Sequence, residues 1–271
     1  MHKVSFIGGG NMAAAIIGGL IASGTSPTDI EVVEINADAR ALLAARFGVV
    51  TQSDLSQARL HALVVLAVKP QILPEASAAL ASRLKGQLVV SIAAGVRVAD
   101  LARWLGGYER IVRAMPNTPA LVQAGITGMF APPAVRSDAR SQAEAVMRAV
   151  GGVVWVGDEP MLDGVTAVSG SGPAYVFYCI ESLEAAAVAQ GLPLATARQL
   201  ALQTFFGAAK LALESSEEPA VLRQRVTSKG GTTERGVAAL ETAGLKHAFE
   251  QAVEAASRRS AELGDELGRL A

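Results

Sequence analysis

Two glycine-rich stretches carry residues whose types and spacing could do chemistry. Near the N-terminus, "VSFIGGGNMAAAIIGGLIASG" (residues 4–24) contains Gly8-x-Gly10-x-x-Ala13. As a strand, turn and helix, it puts Gly8 at a tight turn. Gly10 then stands where backbone without a side chain can approach a pyrophosphate, which the following helix N-terminus stabilises. Ala13 lets that helix pack closely on the strand. Toward the other end, "VTSKGGTTERGVAALE" (226–241) sets Ser228, Gly230, Gly231, Thr232 and Thr233 ahead of a helix expected from about 234. Exposed amides at such a helix start suit a carboxylate, yet Ser and Thr also cap helices with no ligand present. "SGSGPAY" (169–175), expected as a loop opening the first long C-terminal helix, carries the same two readings.

Single polar groups at the ends of apolar runs form the second set. Glu34 ends the second strand expected in the run "IEVVEI" (30–35). An acidic side chain there accepts hydrogen bonds from adenosine ribose hydroxyls, whereas a 2′-phosphate would meet a carboxylate. Alternatively, Glu34 is a solvated strand-end charge. "LAVKPQ" (66–71) and "SIAAG" (91–95) end the next two runs. Ligands of open parallel sheets lie at the carboxyl ends of the strands, so both loops should border a cofactor. Lys69 there is either a hydrogen-bond donor to it or a solvated lysine. In "RAMPNTPA" (113–120), Asn117 and Thr118 either face the nicotinamide region or belong to a structural turn.

These residues need elements to position them. From residue 3 to about 155, Val- and Ile-rich runs ("KVSFIG", "IEVVEI", "ALVVLAV", "QLVVSIA", "RIVRAM") alternate with helical segments at 38–47, 70–84, 97–105 and 137–149. Nearly continuous apolar runs suit strands buried on both faces of a parallel sheet, and the alternation implies a doubly wound α/β domain. After about 160 the pattern is helical and alanine-rich, with apolar faces broad enough to be buried against another subunit. The expected division is 1–160 for dinucleotide binding and 161–271 for an all-α domain.

Composition narrows the function classes. The chain has 271 residues, 51% apolar and 18% charged, enough for a large core and two domains. Its formal net charge of −1 gives no electrostatic case for nucleic acid or an anionic membrane surface. The single Cys179 cannot form an internal disulfide and fits a reducing compartment, hence a cytoplasmic location. His2, His61 and His247 are scattered, so no metal site is expected. Residues 4–28 carry no charge, and a membrane helix needs roughly 20 such residues. Gly8-Gly9-Gly10 argues against a membrane helix or a secretory signal, since each glycine costs a helix interior about 1 kcal/mol.

Taken together, "FIGGGNMA", "AVKPQ", "AAG", "MPNTP", "SGSGPAY" and "PAVLRQRVTSKGGTTERGVAALE" (219–241) resemble the pyrroline-5-carboxylate reductases, in the family's order and over nearly the whole chain. The resemblance implies an N-terminal Rossmann domain and a C-terminal all-α dimerisation domain, a homodimer that builds the active site, and assembly further into a decamer. It implies reduction of (S)-1-pyrroline-5-carboxylate to L-proline by NADPH or NADH, the last step of proline biosynthesis. Carried over by position, the substrate carboxylate falls to Ser228, Gly230, Gly231, Thr232 and Thr233, with Thr233 hydrogen-bonding the ring nitrogen. The cofactor falls to Ile7, Gly8, Gly9, Gly10, Asn11 and Met12, to Glu34, Ile35 and Asn36, to Ala67, Val68, Lys69 and Pro70, and to Ala93, Ala94 and Gly95. Two departures stand out. Some members place Ser or Arg where this chain has Glu34-Ile35-Asn36, which shifts the expectation slightly toward NADH. Some have an asparagine near the adenosine where "TQSDLSQ" offers Asp54, so that contact is not carried over.

Three other readings compete. A β-hydroxyacid dehydrogenase would use a lysine on the first long helix of the second domain, and 173–190 contains none. A non-catalytic nucleotide sensor would let the "TSKGGTT" loop decay, and it is intact. A membrane protein rests only on the charge-free N-terminal run.

Overall fold

A computed structural model describes residues 3–270, so His2 lies outside the described residues. The chain forms two compact units. Residues up to Ser171 and those from Ala255 onward make the first, and Gly172–Glu254 the second.

The first unit is built on one eight-stranded sheet: β1 (Val4–Ile7), β2 (Ile30–Val33), β3 (Val50–Gln52), β4 (Leu63–Leu66), β5 (Leu88–Ser91), β6 (Ile111–Met115), β7 (Gly125–Phe130) and β8 (Gly151–Trp155). The spatial order is β3-β2-β1-β4-β5-β6-β7-β8. Every pairing is parallel except β6 with β7. Crossovers run through α1 (Asn11–Ala22), α2 (Ala37–Phe47), α3 (Leu73–Ala81), α4 (Val98–Trp104) and α5 (Ser137–Arg148). This is the expected mixed α/β architecture with a Rossmann-type sheet.

The central strands are buried on both faces because their side chains alternate into two separate cores. Val4, Phe6, Val32, Val65 and Val90 pack with Ile16 and Ile17 of α1 on one side. Ile7, Val33, Val64, Leu66 and Val89 pack with Leu73, Leu80 and Leu101 on the other. At about 25 cal/mol per Å² of apolar surface removed from water, these layers supply most of the drive to fold. Local signals set the helix ends. The Asn36 side chain accepts from the Ala39 amide to start α2, and Gly48, at φ +68°, ends it while donating to Ala44 O.

The five runs read as strands are β1, β2, β4, β5 and β6. Three further strands, β3, β7 and β8, carried no such signal. "SGSGPAY" is not a loop. α6 (Met161–Val165) runs into a π-helical turn at Thr166–Gly170, closed by Ser171 N–H on Thr166 O at 2.8 Å. Gly170, which ends that turn, has no side chain where Met115 Cε comes within 2.7 Å of the place a Cβ would take.

The second unit holds α7 (Gly172–Ala189), α8 (Leu194–Glu214), α9 (Pro219–Arg225), α10 (Thr232–Thr242) and the first part of α11 (Leu245–Gly268). α7 and α8 are adjacent and share a two-pronged ion pair, Arg198 Nε to Glu184 Oε2 at 2.9 Å and Nη2 to Oε1 at 3.1 Å. Within the single chain only Ala197 and Ala201 of this unit are buried, while Phe177 is 66% and Phe206 62% exposed. Among the described residues no helix is long and apolar enough to cross a membrane.

Candidate functional site

Parallel register brings three loops to one edge of the sheet. Ile7 pairs with Leu66 and Leu66 with Ser91, so the segments that follow β1, β4 and β5 leave side by side. They are Gly8–Met12, Ala67–Pro70 and Ala93–Gly95. β1 is also where the chain direction across the sheet reverses, between β2 and β4, the place where doubly wound folds bind ligands.

The first loop is shaped by its glycines. Gly8, at φ +100°, donates to Val33 O at 2.8 Å, and a side chain on it would lie 2.8 Å from the Ala67 carbonyl. Gly10 is the opposite case, because a Cβ there would meet nothing within 4 Å. Open space beside Gly10, and an α1 that starts on it with no side-chain cap, leave amides available to a phosphate. A pyrophosphate therefore fits this cradle. Asn11 is exposed and Met12 half-buried against the core.

Glu34, just past β2, braces the same loop. Its Oε2 accepts from Gly9 N–H and its Oε1 from Asn36 N–H, both at 2.8 Å. Arg40 is tied to the backbone here, its Nη1 donating to Glu34 O at 2.7 Å and Ile35 O at 2.8 Å. Ile35 is 82% exposed, an apolar side chain left at the loop's surface. Asp54 lies in a different role, capping the short turn Leu55–Gln57 through Ser56, whose hydroxyl and amide hold the Asp54 carboxyl below its usual range.

In the second loop Lys69 is exposed, and Pro70 opens a short 3₁₀ turn. In the third, Ala93 and Gly95 are buried and Ala94 is exposed. Asn117 is buried and engaged at both ends of its amide, donating to Ser169 O at 3.0 Å and accepting from Ile126 N–H at 2.9 Å. Those bonds fasten the start of β7 to the π-helical turn, in keeping with a structural turn.

Ser228–Thr233 belong to the second unit. α10 begins at Thr232, two residues earlier than its spacing suggested, so Thr232 and Thr233 form its first turn. Gly230 has φ +73° and its N–H donates to Glu234 Oε2 at 2.7 Å, while Gly231 N–H returns to Ser228 O at 3.0 Å. Those two amides are spent on shaping the loop. The amides of Thr232 and Thr233 open a helix that has no side-chain cap. Ser228, Thr232 and Thr233 are exposed in the single chain.

Sequence reasoning noted Arg40 only as an arginine six residues beyond Glu34, and it missed Glu234 and Glu159. Glu234 was hidden because the helix was expected to start at about 234, whereas it starts at Thr232 and puts Glu234 in its first turn, within reach of the Gly230 amide. Glu159 was hidden too. Its Oε1 accepts from Val98 N–H at 2.8 Å and from the buried Arg113 at 3.1 Å, joining segments 61 and 46 residues away in sequence.

Comparison with known proteins brings these observations together. Residues 159–263 match the family model described as pyrroline-5-carboxylate reductase dimerisation, and residues 3–95 that described as NADP oxidoreductase, coenzyme F420-dependent. The chain is 46% identical over 269 residues to pyrroline-5-carboxylate reductase of Pseudomonas aeruginosa, covering 98% of each chain. It is 42% identical over 264 residues to that of Escherichia coli, covering 96% of this chain and 98% of the other. A solved pyrroline-5-carboxylate reductase from Coxiella burnetii superposes with a TM-score of 0.93 at 44% identity, covering 97% of this chain and 98% of that one. A Plasmodium falciparum pyrroline carboxylate reductase with NADP bound superposes with a TM-score of 0.84 at 29% identity, over 97% and 98%.

Proposed function

The chain belongs to the pyrroline-5-carboxylate reductase family, and on that premise we infer that it reduces (S)-1-pyrroline-5-carboxylate to L-proline, the last step of L-proline biosynthesis. It is an oxidoreductase that uses a nicotinamide dinucleotide and associates with its own copies through the helical region. The functional division we propose is 1–160 for the cofactor and 161–271 for dimerisation and substrate. Assembly of dimers into a decamer, and a cytoplasmic location suited to the free Cys179, belong to the same proposal.

The bound dinucleotide supplies the hydride. The protein's part is to grip and to orient. Gly10, Asn11 and Met12 hold the pyrophosphate with α1 amides, flanked by Ile7, Gly8 and Gly9, with Ala67–Pro70 and Ala93–Gly95 alongside. Ser228 and the amides of Thr232 and Thr233 hold the substrate carboxylate, in a loop bent by Gly230 and Gly231. The Thr233 hydroxyl orients the imine nitrogen and relays a proton to it from water, because a threonine is too weak an acid to supply one unaided. Proximity and orientation then give most of the acceleration.

We further propose that NADH is preferred over NADPH, and the observation that carries this is Glu34. Hydrogen bonds from Gly9 N–H and Asn36 N–H fix its carboxylate beside the loop, with Ile35 and Asn36 around the adenosine ribose. A 2′-phosphate brought close to that carboxylate would meet repulsion on the order of a few kcal/mol. Arg40, the nearest arginine in sequence, already serves the carbonyls of Glu34 and Ile35. Initial rates with NADH and NADPH, each with and without 1-pyrroline-5-carboxylate, test both parts. Substrate-dependent oxidation with a higher kcat/KM for NADH is expected. A higher value for NADPH would remove Glu34 from the recognition. No oxidation from folded, nucleotide-binding protein would sink the reductase reading itself.

A further inference from the structure

The segment 93–98 follows β5 along the cofactor edge and is held from two sides. On one side, Glu159 accepts from Val98 N–H at 2.8 Å. On the other lie the last turns of α11, which belong to the same compact unit although they come from the far end of the chain. Gly95 has φ +77°, and a side chain on it would meet Leu267 Cδ1 at 3.2 Å and Leu263 Cβ at 3.6 Å. Facing it, Gly264 has no side chain either. A Cβ there would lie 3.1 Å from Gly95 O and 3.2 Å from both Nε and Nη2 of Arg97. The two backbones approach closely enough that a side chain on either glycine would have to push its neighbours aside. Arg97 then pairs with Asp265 at 2.7 Å and reaches Ala261 O at 3.3 Å. Leu267 is buried in the core on that face of the sheet, and Arg103 and Trp104 bond the carbonyls of Gly268 and Leu270 at 2.7 and 3.2 Å.

We propose that the end of α11, through Gly264 and Asp265, positions the 93–97 loop for the dinucleotide, so that cofactor affinity depends on a segment remote in sequence from the nucleotide fold. The proposal rests on the reading that this loop borders the cofactor. Gly264 is a positioning residue, acting through Gly95 and Arg97. An ordinary packing contact would support stability alone. A positioning contact also sets the dissociation constant of NADH, and does so with little effect on the imine substrate.

The test uses the full-length protein. NADH binding is followed by fluorescence titration without any imine, and KM values for NADH and pyrroline-5-carboxylate come from initial rates. Gly264→Leu, which forces the loop away from its place, should raise the NADH dissociation constant about tenfold or more, about 1.4 kcal/mol. KM for the imine should move by less than about twofold. Asp265→Arg changes only an exposed pair and is expected to fold. It should raise the constant about threefold, in line with the modest worth of such pairs, and it carries the test alone if the leucine variant does not fold. Glu262→Ala, one turn away on the exposed surface, should leave NADH binding unchanged. An unchanged constant in the folded variants, even with a lowered Tm, overturns the proposal, as does an equal rise in both KM values. Failure of the unmodified protein to bind NADH or NADPH would instead sink the nucleotide reading and take this inference with it.

Discussion

At Gly8–Met12 a glutamate from the end of β2 takes the amide of Gly9, and α1 starts uncapped on the next glycine. At Ser228–Thr233 another glutamate takes the amide of Gly230, and α10 again starts uncapped on the next glycine. Locally the two loops use the same device: a carboxylate spends one glycine amide on shape and leaves the helix amides for an anion. Their surroundings differ. Gly8 and Gly9 are buried within two finished cores, whereas the loop at 228–233 is exposed and its unit buries almost nothing within one chain. Equal local chemistry in unequal settings accords with the proposed reading, in which the first loop works within its own chain and the second works with a second copy.

Breaking the association should show this most strongly. Phe177→Glu with Phe206→Glu removes two exposed aromatic side chains and should cost at least about 4 kcal/mol of association if both are anchors. Light scattering is expected to report a smaller particle with little reductase activity, while NADH titration still shows binding. Loss of nucleotide binding as well would erase the contrast between the units. Next in size, Thr233→Ala should lower kcat by more than about tenfold and leave the NADH dissociation constant alone, and near-normal turnover would take Thr233 out of the mechanism. The smallest effect belongs to the first unit. Burial, with Arg59 close by, holds the His61 imidazole pKa below its ordinary 6.5. As pH falls the unfolded chain is protonated first, so this stability is present above about pH 6.5 and is lost as pH drops through that value toward the folded pKa. Tm measured from about pH 7.5 down to about 5.5 should fall more steeply for the unmodified protein than for His61→Asn, and parallel curves would discard His61 as the cause.

The sequence made the centre of the sheet legible and its edges obscure. β1, β2, β4, β5 and β6 carry near-continuous apolar residues, the pattern of strands covered on both faces. β7 and β8 open on Gly125 and Gly151, and Gly128 is a glycine because Val165 stands within 2.5 Å of where its side chain would be. Such glycines read as turns, since the close approach that demands them is invisible along the chain. β3 is three residues with a polar pair, too short to show any period. The glycine loops were legible as possible anion sites, their shaping glutamates only in part. The bond from Glu159 to Val98 and the seating of Gly264 on Gly95 join distant segments and left no local trace.

The return of α11 to the first unit also constrains how the protein is made. Leu267, part of the core beside β5 and α4, is translated only after the intervening 172–254. At about 5–20 residues per second, the ribosome spends roughly 4–17 s on that stretch while Leu101, Trp104 and the Gly95 loop wait without their cover. The nascent sheet is thus left with an unfinished apolar flank until the last turns of α11 arrive.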